Sequence, residues 1–187
     1  MRSFGRQLLI PFLSASALVV VTAAHAATSA TAIGPLETLR IWEGRWKVDV
    51  QVKETPYSHA ATVAWNASCA WQPHGAYMIC DYLSDGVDAE AGKVANNLSI
   101  FYYSDADKAI KHTGMGTEGG PREQIATVDG NVWTTTFEVT GHKGQKIECR
   151  NVYNFVSPDK HLDRFEVSDD NGAHWTVVKE GVSTKVE

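Results

Sequence analysis

The feature that most constrains this chain is a two-residue hydrophobic period that recurs along almost its whole length. In GRWKVDVQVK (residues 44–53), Trp46, Val48, Val50 and Val52 alternate with Arg45, Lys47, Asp49, Gln51 and Lys53. Successive side chains of a strand leave opposite faces, so the pattern gives one apolar face and one wet face. KIECRNVYNF (146–155) repeats it, with Ile147, Cys149, Asn151, Tyr153 and Phe155 on one side and Lys146, Glu148 and Arg150 on the other. Further strands are predicted near 60–71, 76–83, 96–104, 109–115, 122–128, 132–139, 161–168 and 174–184. Between them stand turn signals such as Pro73-His74-Gly75, Asp129-Gly130, Ser157-Pro158-Asp159 and Asp170-Asn171-Gly172. Asp-Gly and Asn-Gly pairs suit the positive φ angles of tight hairpins.

About ten short strands joined in order by hairpins predict an all-β fold, an up-and-down antiparallel meander. Closure into a β-barrel removes the exposed edges of such a meander. A two-sheet sandwich is the alternative. One segment departs from the period. In GPLETLRIWEG, Pro35 suits the first helical position, Gly44 suits the end, and Leu36, Leu39 and Trp42 recur every three residues. A short N-terminal helix closing one end of the barrel is therefore predicted.

The first residues have a different character. Arg2 and Arg6 precede the apolar run LLIPFLSASALVVV, and Ala24-His25-Ala26 follows it. This is the anatomy of a secretory signal peptide, and the apolar run is too short to span a bilayer comfortably. The expected organisation is a signal peptide over 1–26 cleaved after Ala26, a flexible leader over 27–34, and one barrel domain over 35–187. A periplasmic or secreted protein with no membrane span after cleavage follows. Loss of Arg2 and Arg6 takes the formal charge from −5 to −7. A mildly acidic surface without a basic run argues against nucleic acid as a partner. The pattern specifies no oligomeric state.

The stretch CAWQPHGAYMIC (69–80) places two cysteines equally far from a turn centred between His74 and Gly75. Residues equidistant from that point lie opposite one another, so Cys69 and Cys80 are predicted as a cross-strand pair. Opposed Cα atoms sit about 4.5–5.5 Å apart, within reach of a disulfide, and an exported protein meets an oxidising compartment. Cys149 is left over on an apolar face and is expected as a buried free thiol. No close cysteine or histidine spacing indicates a metal, so none is expected.

If Cys69 faces inward, so do Val63, Trp65, Ala67 and Trp71, and opposite them Met78, Cys80 and Tyr82. Such a wall is aromatic and polarizable and suits a small apolar or aromatic molecule. Ala67 and Gly114 interrupt the large side chains; a solidly filled core is the competing expectation. Few polar groups share the inward faces. Asn151 needs a partner or a ligand for its amide. His112, on the face of Ile110, offers a hydrogen bond or general-base chemistry. Tyr82, Tyr102 and Tyr153 offer hydroxyls while packing their rings.

Two further stretches carry a resemblance. The short helix leading into Gly44-x-Trp46 resembles the opening of lipocalin-like (calycin) barrels, in which the tryptophan plugs one end beneath the helix. The ending EVSDDNGAHWTVVKEGVSTKV (166–186), with Ser168, Asp170, Gly172 and Trp175, resembles the last hairpin of the bacterial family called domain of unknown function 1579. The resemblance implies a barrel with a central cavity and no particular activity. Related haem-binding barrels carry a glycine-rich tract and a proximal histidine near the first strands. GRWKVDVQVK has no such tract, so no cofactor is expected.

The predicted ligand-binding set is thus Trp65, Trp71, Met78, Tyr82, Tyr102, His112, Asn151 and Tyr153. His112, Tyr82 and Tyr153 are the candidates for proton transfer. No nucleophile elbow or phosphate-binding loop is present. The leading function is a carrier or sensor of a small apolar molecule. The alternatives are a cofactor-free isomerase, lyase or hydrolase working by acid–base chemistry in the same cavity, and a cell-envelope interaction protein with a filled core.

Overall fold

The structure, a computed structural model, describes residues 34–87, 93–116, 119–141 and 144–186. The expected signal peptide and nearly all of the expected leader lie outside the described residues. Ten strands follow in order: β1 Gly44–Val52, β2 Ala61–Trp71, β3 Tyr77–Ser84, β4 Asn96–Ser104, β5 Ala109–Gly116, β6 Gly119–Asp129, β7 Val132–Thr140, β8 Lys146–Ser157, β9 Lys160–Ser168 and β10 Thr176–Val186. Each pairs antiparallel with its neighbours in sequence, and β10 pairs with β1, so the sheet is a closed barrel. The meander and its closure agree with the two-residue period, and no sandwich forms.

Alternation carries through to burial. Along β1, Trp46 and Val52 are buried, Val48 and Val50 half-buried, and Arg45, Lys47, Asp49 and Gln51 exposed. The seam with β10 runs without a break from Arg45↔Val186 to Val52↔Lys179. Backbones come close there: a Cβ at Gly181 would stand 2.9 Å from the Asp49 carbonyl oxygen and 2.9 Å from Val50 Cγ2.

The N-terminal helix is a 3-10 segment, Gly34–Trp42, and not an α-helix. The reason is in the spacing. Leu36, Leu39 and Trp42 recur every three residues, which is the 3-10 period, so a single edge presents all three. All three are buried, and they join the larger core cluster with Trp46, Trp71, Met78, Phe101, Trp133 and Phe155. Trp46 Nε1 donates to the Trp42 carbonyl at 2.8 Å. The Trp42 ring meets Tyr153 and Phe155 edge-on at centroid distances of 4.8 and 5.0 Å.

The hairpin of the two cysteines has the predicted register. Trp71 faces Met78, Cys69 faces Cys80 and Ala67 faces Tyr82. Cys69 and Cys80 form a disulfide with their Cα atoms 4.0 Å apart, and Cys149 is a buried free thiol. Burial pushes the Cys149 thiol up to about 11, only partly offset by Arg122. The turn takes positive φ at both His74 (70°) and Gly75 (64°).

Cys149 belongs to a second apolar cluster with Ile147, Val167 and Val178, against which Phe137 and Phe165 pack. Between β9 and β10, Ser168 Oγ donates to Asp170 Oδ1 and accepts from the Gly172 amide, while Asp170 also accepts from the His174 amide. These bonds hold the Asp170 carboxyl well below the usual range. The turn residues quoted for the closing hairpin thus satisfy one another locally. Among the described residues no helix is long and apolar enough to cross a membrane.

Candidate functional site

The barrel interior between the two apolar clusters is neither filled nor apolar. Inward positions there carry Tyr82 on β3, Ser99 on β4, His112 on β5, Gln124 on β6, Thr135 on β7, Asn151 on β8 and Asp163 on β9. A polar belt of this kind must find partners within the barrel, because buried polar groups without them are costly. Asn151 Nδ2 donates to Thr135 Oγ1 at 3.2 Å and approaches Gln124 Oε1 at 3.5 Å. Asp163 accepts from Ser183 Oγ at 2.6 Å and is paired with His161 Nδ1.

A cavity of about 260 Å³ opens beside this belt. Its apolar wall comes from β1 and β2: Trp46, Val48, Val50, Val63, Trp65 and Ala67. The opposite side is polar, with Tyr82, Asn97, Ser99, Asn151, Tyr153, His161, Asp163 and Ser183. Trp65 points inward and is half-buried, its side chain lining the cavity. Gly181 lines the cavity on β10, where the close approach to β1 leaves no room for a side chain.

Electrostatics favour neutral hydroxyls here. Burial, reinforced by the nearby Asp163 carboxylate, raises the Tyr82 phenol far above its ordinary value. Burial raises Tyr153 as well, with Tyr82 and Asp163 adding to it and a hydrogen bond with Thr135 opposing. Both are therefore phenol donors at any physiological pH. His161 sits among Trp42, Trp46, Tyr153 and Phe155, with ring centroids 4.7–5.9 Å away. Its Nδ1 is paired with Asp163, and this contact orients the ring toward the cavity as a carboxylate orients a histidine base.

Four of the predicted ligand residues meet in this cavity: Trp65, Tyr82, Asn151 and Tyr153. Four do not. Trp71 and Met78 face inward as expected but are packed into the core cluster. Tyr102 is on the outer surface, where its hydroxyl donates to Glu123 at 2.8 Å. His112 lines a second cavity of about 250 Å³ beneath β4, β5 and β6, in which Asn97 and Ser99 are the shared wall. His161, Asp163 and Ser183 went unassigned in the sequence. A signal for the first two was present, since KHLDRFEVS puts His161 and Asp163 on the face of Phe165 and Val167.

The geometry defines a class of fold, a closed ten-stranded antiparallel barrel with an internal cavity. Among solved structures, the chain is similar to the crystal structure of Rv2717c from M. tuberculosis, with a TM-score of 0.58 and 10% sequence identity, covering 84% of this chain and 100% of that one. At this identity the likeness shows the barrel fold alone. No protein-family model matches the chain, and no curated protein compared with it is detectably similar in sequence.

Proposed function

We propose that this protein is an exported, lipocalin-like binding barrel that holds a small aromatic or apolar molecule bearing one polar group. The observation that carries this reading is the two-sided cavity: Trp65, Val48 and Val63 facing Tyr82, Asn151 and Tyr153 inside a closed sheet. A ligand's apolar body gains by leaving water against the β1–β2 wall, and the phenols and the Asn151 amide fix its polar end. The 3-10 segment over the core cluster, with Trp46 bonded to it, supports kinship with calycin barrels of the domain of unknown function 1579 type, in which that segment closes one end. The cross-strand disulfide supports an oxidising compartment and hence cleavage after Ala26. The N-terminal peptide of the secreted protein is the check.

The test is a titration of the full chain with a panel of aromatic probes, with and without a hydroxyl, followed by tryptophan fluorescence. Saturable quenching is expected. Trp65→Leu should weaken it roughly tenfold through loss of an aromatic contact. Asn151→Leu should shift preference from hydroxylated to wholly apolar probes. His74→Asn, in the exposed turn, should change nothing. The carrier reading fails if no probe in a broad panel gives a saturable change.

One pair favours a second reading. His161 oriented by Asp163 beside the neutral phenols of Tyr82 and Tyr153 is suited to cofactor-free acid–base chemistry on the same ligand. Turnover that disappears in Asp163→Asn while probe binding persists would make the protein an enzyme; binding without turnover in the wild type keeps it a carrier.

A further inference from the structure

His112 is only 6% exposed, and neither of its ring nitrogens makes a hydrogen bond of good geometry, the Gln124 side chain being the polar group that interacts with it. A buried donor and acceptor left unmade are each costly, so such a ring marks a place where a partner belongs. Phe101 lies flat against it, with ring centroids 4.5 Å apart and planes 9° apart. Both nitrogens are covered, and the ring borders the cavity at Gly114: Nε2 is 3.7 Å from the point where a Cβ on Gly114 would stand, and Gln124 Nε2 is 3.6 Å from the same point. Gly114 and Gly120 contribute no side chains to this wall and leave room in the cavity of about 250 Å³, whereas the space beside Gly116 is taken by the Asn97 side chain.

The register adds a charge. β5 and β6 pair His112 with Gln124 and Gly114 with Arg122, so Arg122 is the diagonal neighbour of His112 on the inner face. Diagonal neighbours lie about 7–8 Å apart, a gap that one carboxylate can bridge. The Arg122 guanidinium rests 4.7 Å from the centre of the Phe137 ring, and among the described residues no carboxylate forms an ion pair with it. No acidic side chain is among the described residues lining the cavity. Burial holds His112 down at about 4, so at neutral pH its ring supplies one N–H and no charge. The net positive charge of the wall comes from Arg122.

We propose that this second cavity is a separate binding site for a small planar carboxylate, whose oxygens accept from the Arg122 guanidinium, a His112 ring N–H and the Gln124 amide. Charge-assisted bonds of this kind are the strong ones, and Arg presents a planar fork suited to a carboxylate. The site is independent of the aromatic cavity proposed above.

Benzoate is the probe, titrated into the full chain labelled with 15N, with benzamide as its uncharged counterpart. A saturable shift of the His112 ring nitrogens is expected with benzoate, and binding of benzamide roughly tenfold weaker or worse. Arg122→Gln should abolish the preference for the anion, and His112→Phe, which keeps the stack on Phe101, should abolish the site. Equal affinity for both probes, absence of a saturable His112 shift, or wild-type benzoate binding by His112→Phe would overturn the proposal. If His112→Phe does not fold, the wild-type shift and Arg122→Gln decide alone. Quenching of Trp65 by apolar probes reads the other cavity, so failure at one site is distinguishable from failure at both.

Discussion

His112 shows how one residue links packing to pH. Burial lowers its pKa from the ordinary 6.5 to about 4. Between those values the unfolded chain holds a proton that the folded chain does not, so stability rises with pH across the window and is lost as pH falls through it. The full effect is on the order of 3 kcal/mol, present above pH 6.5. Urea midpoints measured from pH 7 to pH 4 should therefore fall more steeply for the wild type than for His112→Phe. Parallel curves would show that the ring is not held neutral by the barrel. Cys149 is the matching case on the acid side, a buried thiol whose raised pKa keeps it protonated and inert to mild alkylation in the native state.

At the level of elements, the β2–β3 hairpin is a self-contained unit. Its register follows from a turn in which His74 and Gly75 both take positive φ, and the disulfide then joins residues already opposed. Peptide mapping of secreted protein without reductant should recover Cys69 linked to Cys80, Cys149 alkylated only after unfolding, and an N-terminal peptide starting at Ala27. A linkage to Cys149, or recovery of Met1, would contradict the register or the export. The two cysteines are 11 residues apart. A loop that short constrains the unfolded chain modestly, so Cys69→Ala with Cys80→Ala should cost roughly 2–3 kcal/mol. The closing hairpin is held differently, by Ser168 and Asp170 bonding to their own loop.

For the whole molecule, the decisive contact is the seam between β1 and β10, which joins the two ends of the described sheet. Gly181 sits in that seam with no space for a methyl group. Gly181→Ala should force the two strands apart locally and cost about 1–3 kcal/mol in a denaturant titration. Gly120→Ala is the comparison, since nothing lies within 4 Å of its Cβ position. If both substitutions cost the same, closure does not depend on this approach. The cavity is a consequence of the same closure, because its walls come from strands as distant in sequence as β1 and β9.

The sequence by itself determined the strands, their order, the hairpin register and the disulfide pair, because each rests on a local rule. Alternation has a period of two wherever a strand has one wet face, and turn residues act over three or four positions. Even the 3-10 segment is legible, as a short helix whose buried residues recur every three positions. Where the alternation is ambiguous the reading failed: in NNLSIFYYS both parities carry large side chains, and only pairing with β5 turns Phe101 inward and Tyr102 out to Glu123. Closure decided the rest. It alone brought His161 on β9 against Trp46 on β1, left Trp65 beside empty space while Trp71 and Met78 were packed solid, and set His112 against a cavity apart from the other candidates. A strand's sequence says which side chains face inward; how much room remains there depends on what the opposite wall contributes, and that is a property of the closed sheet.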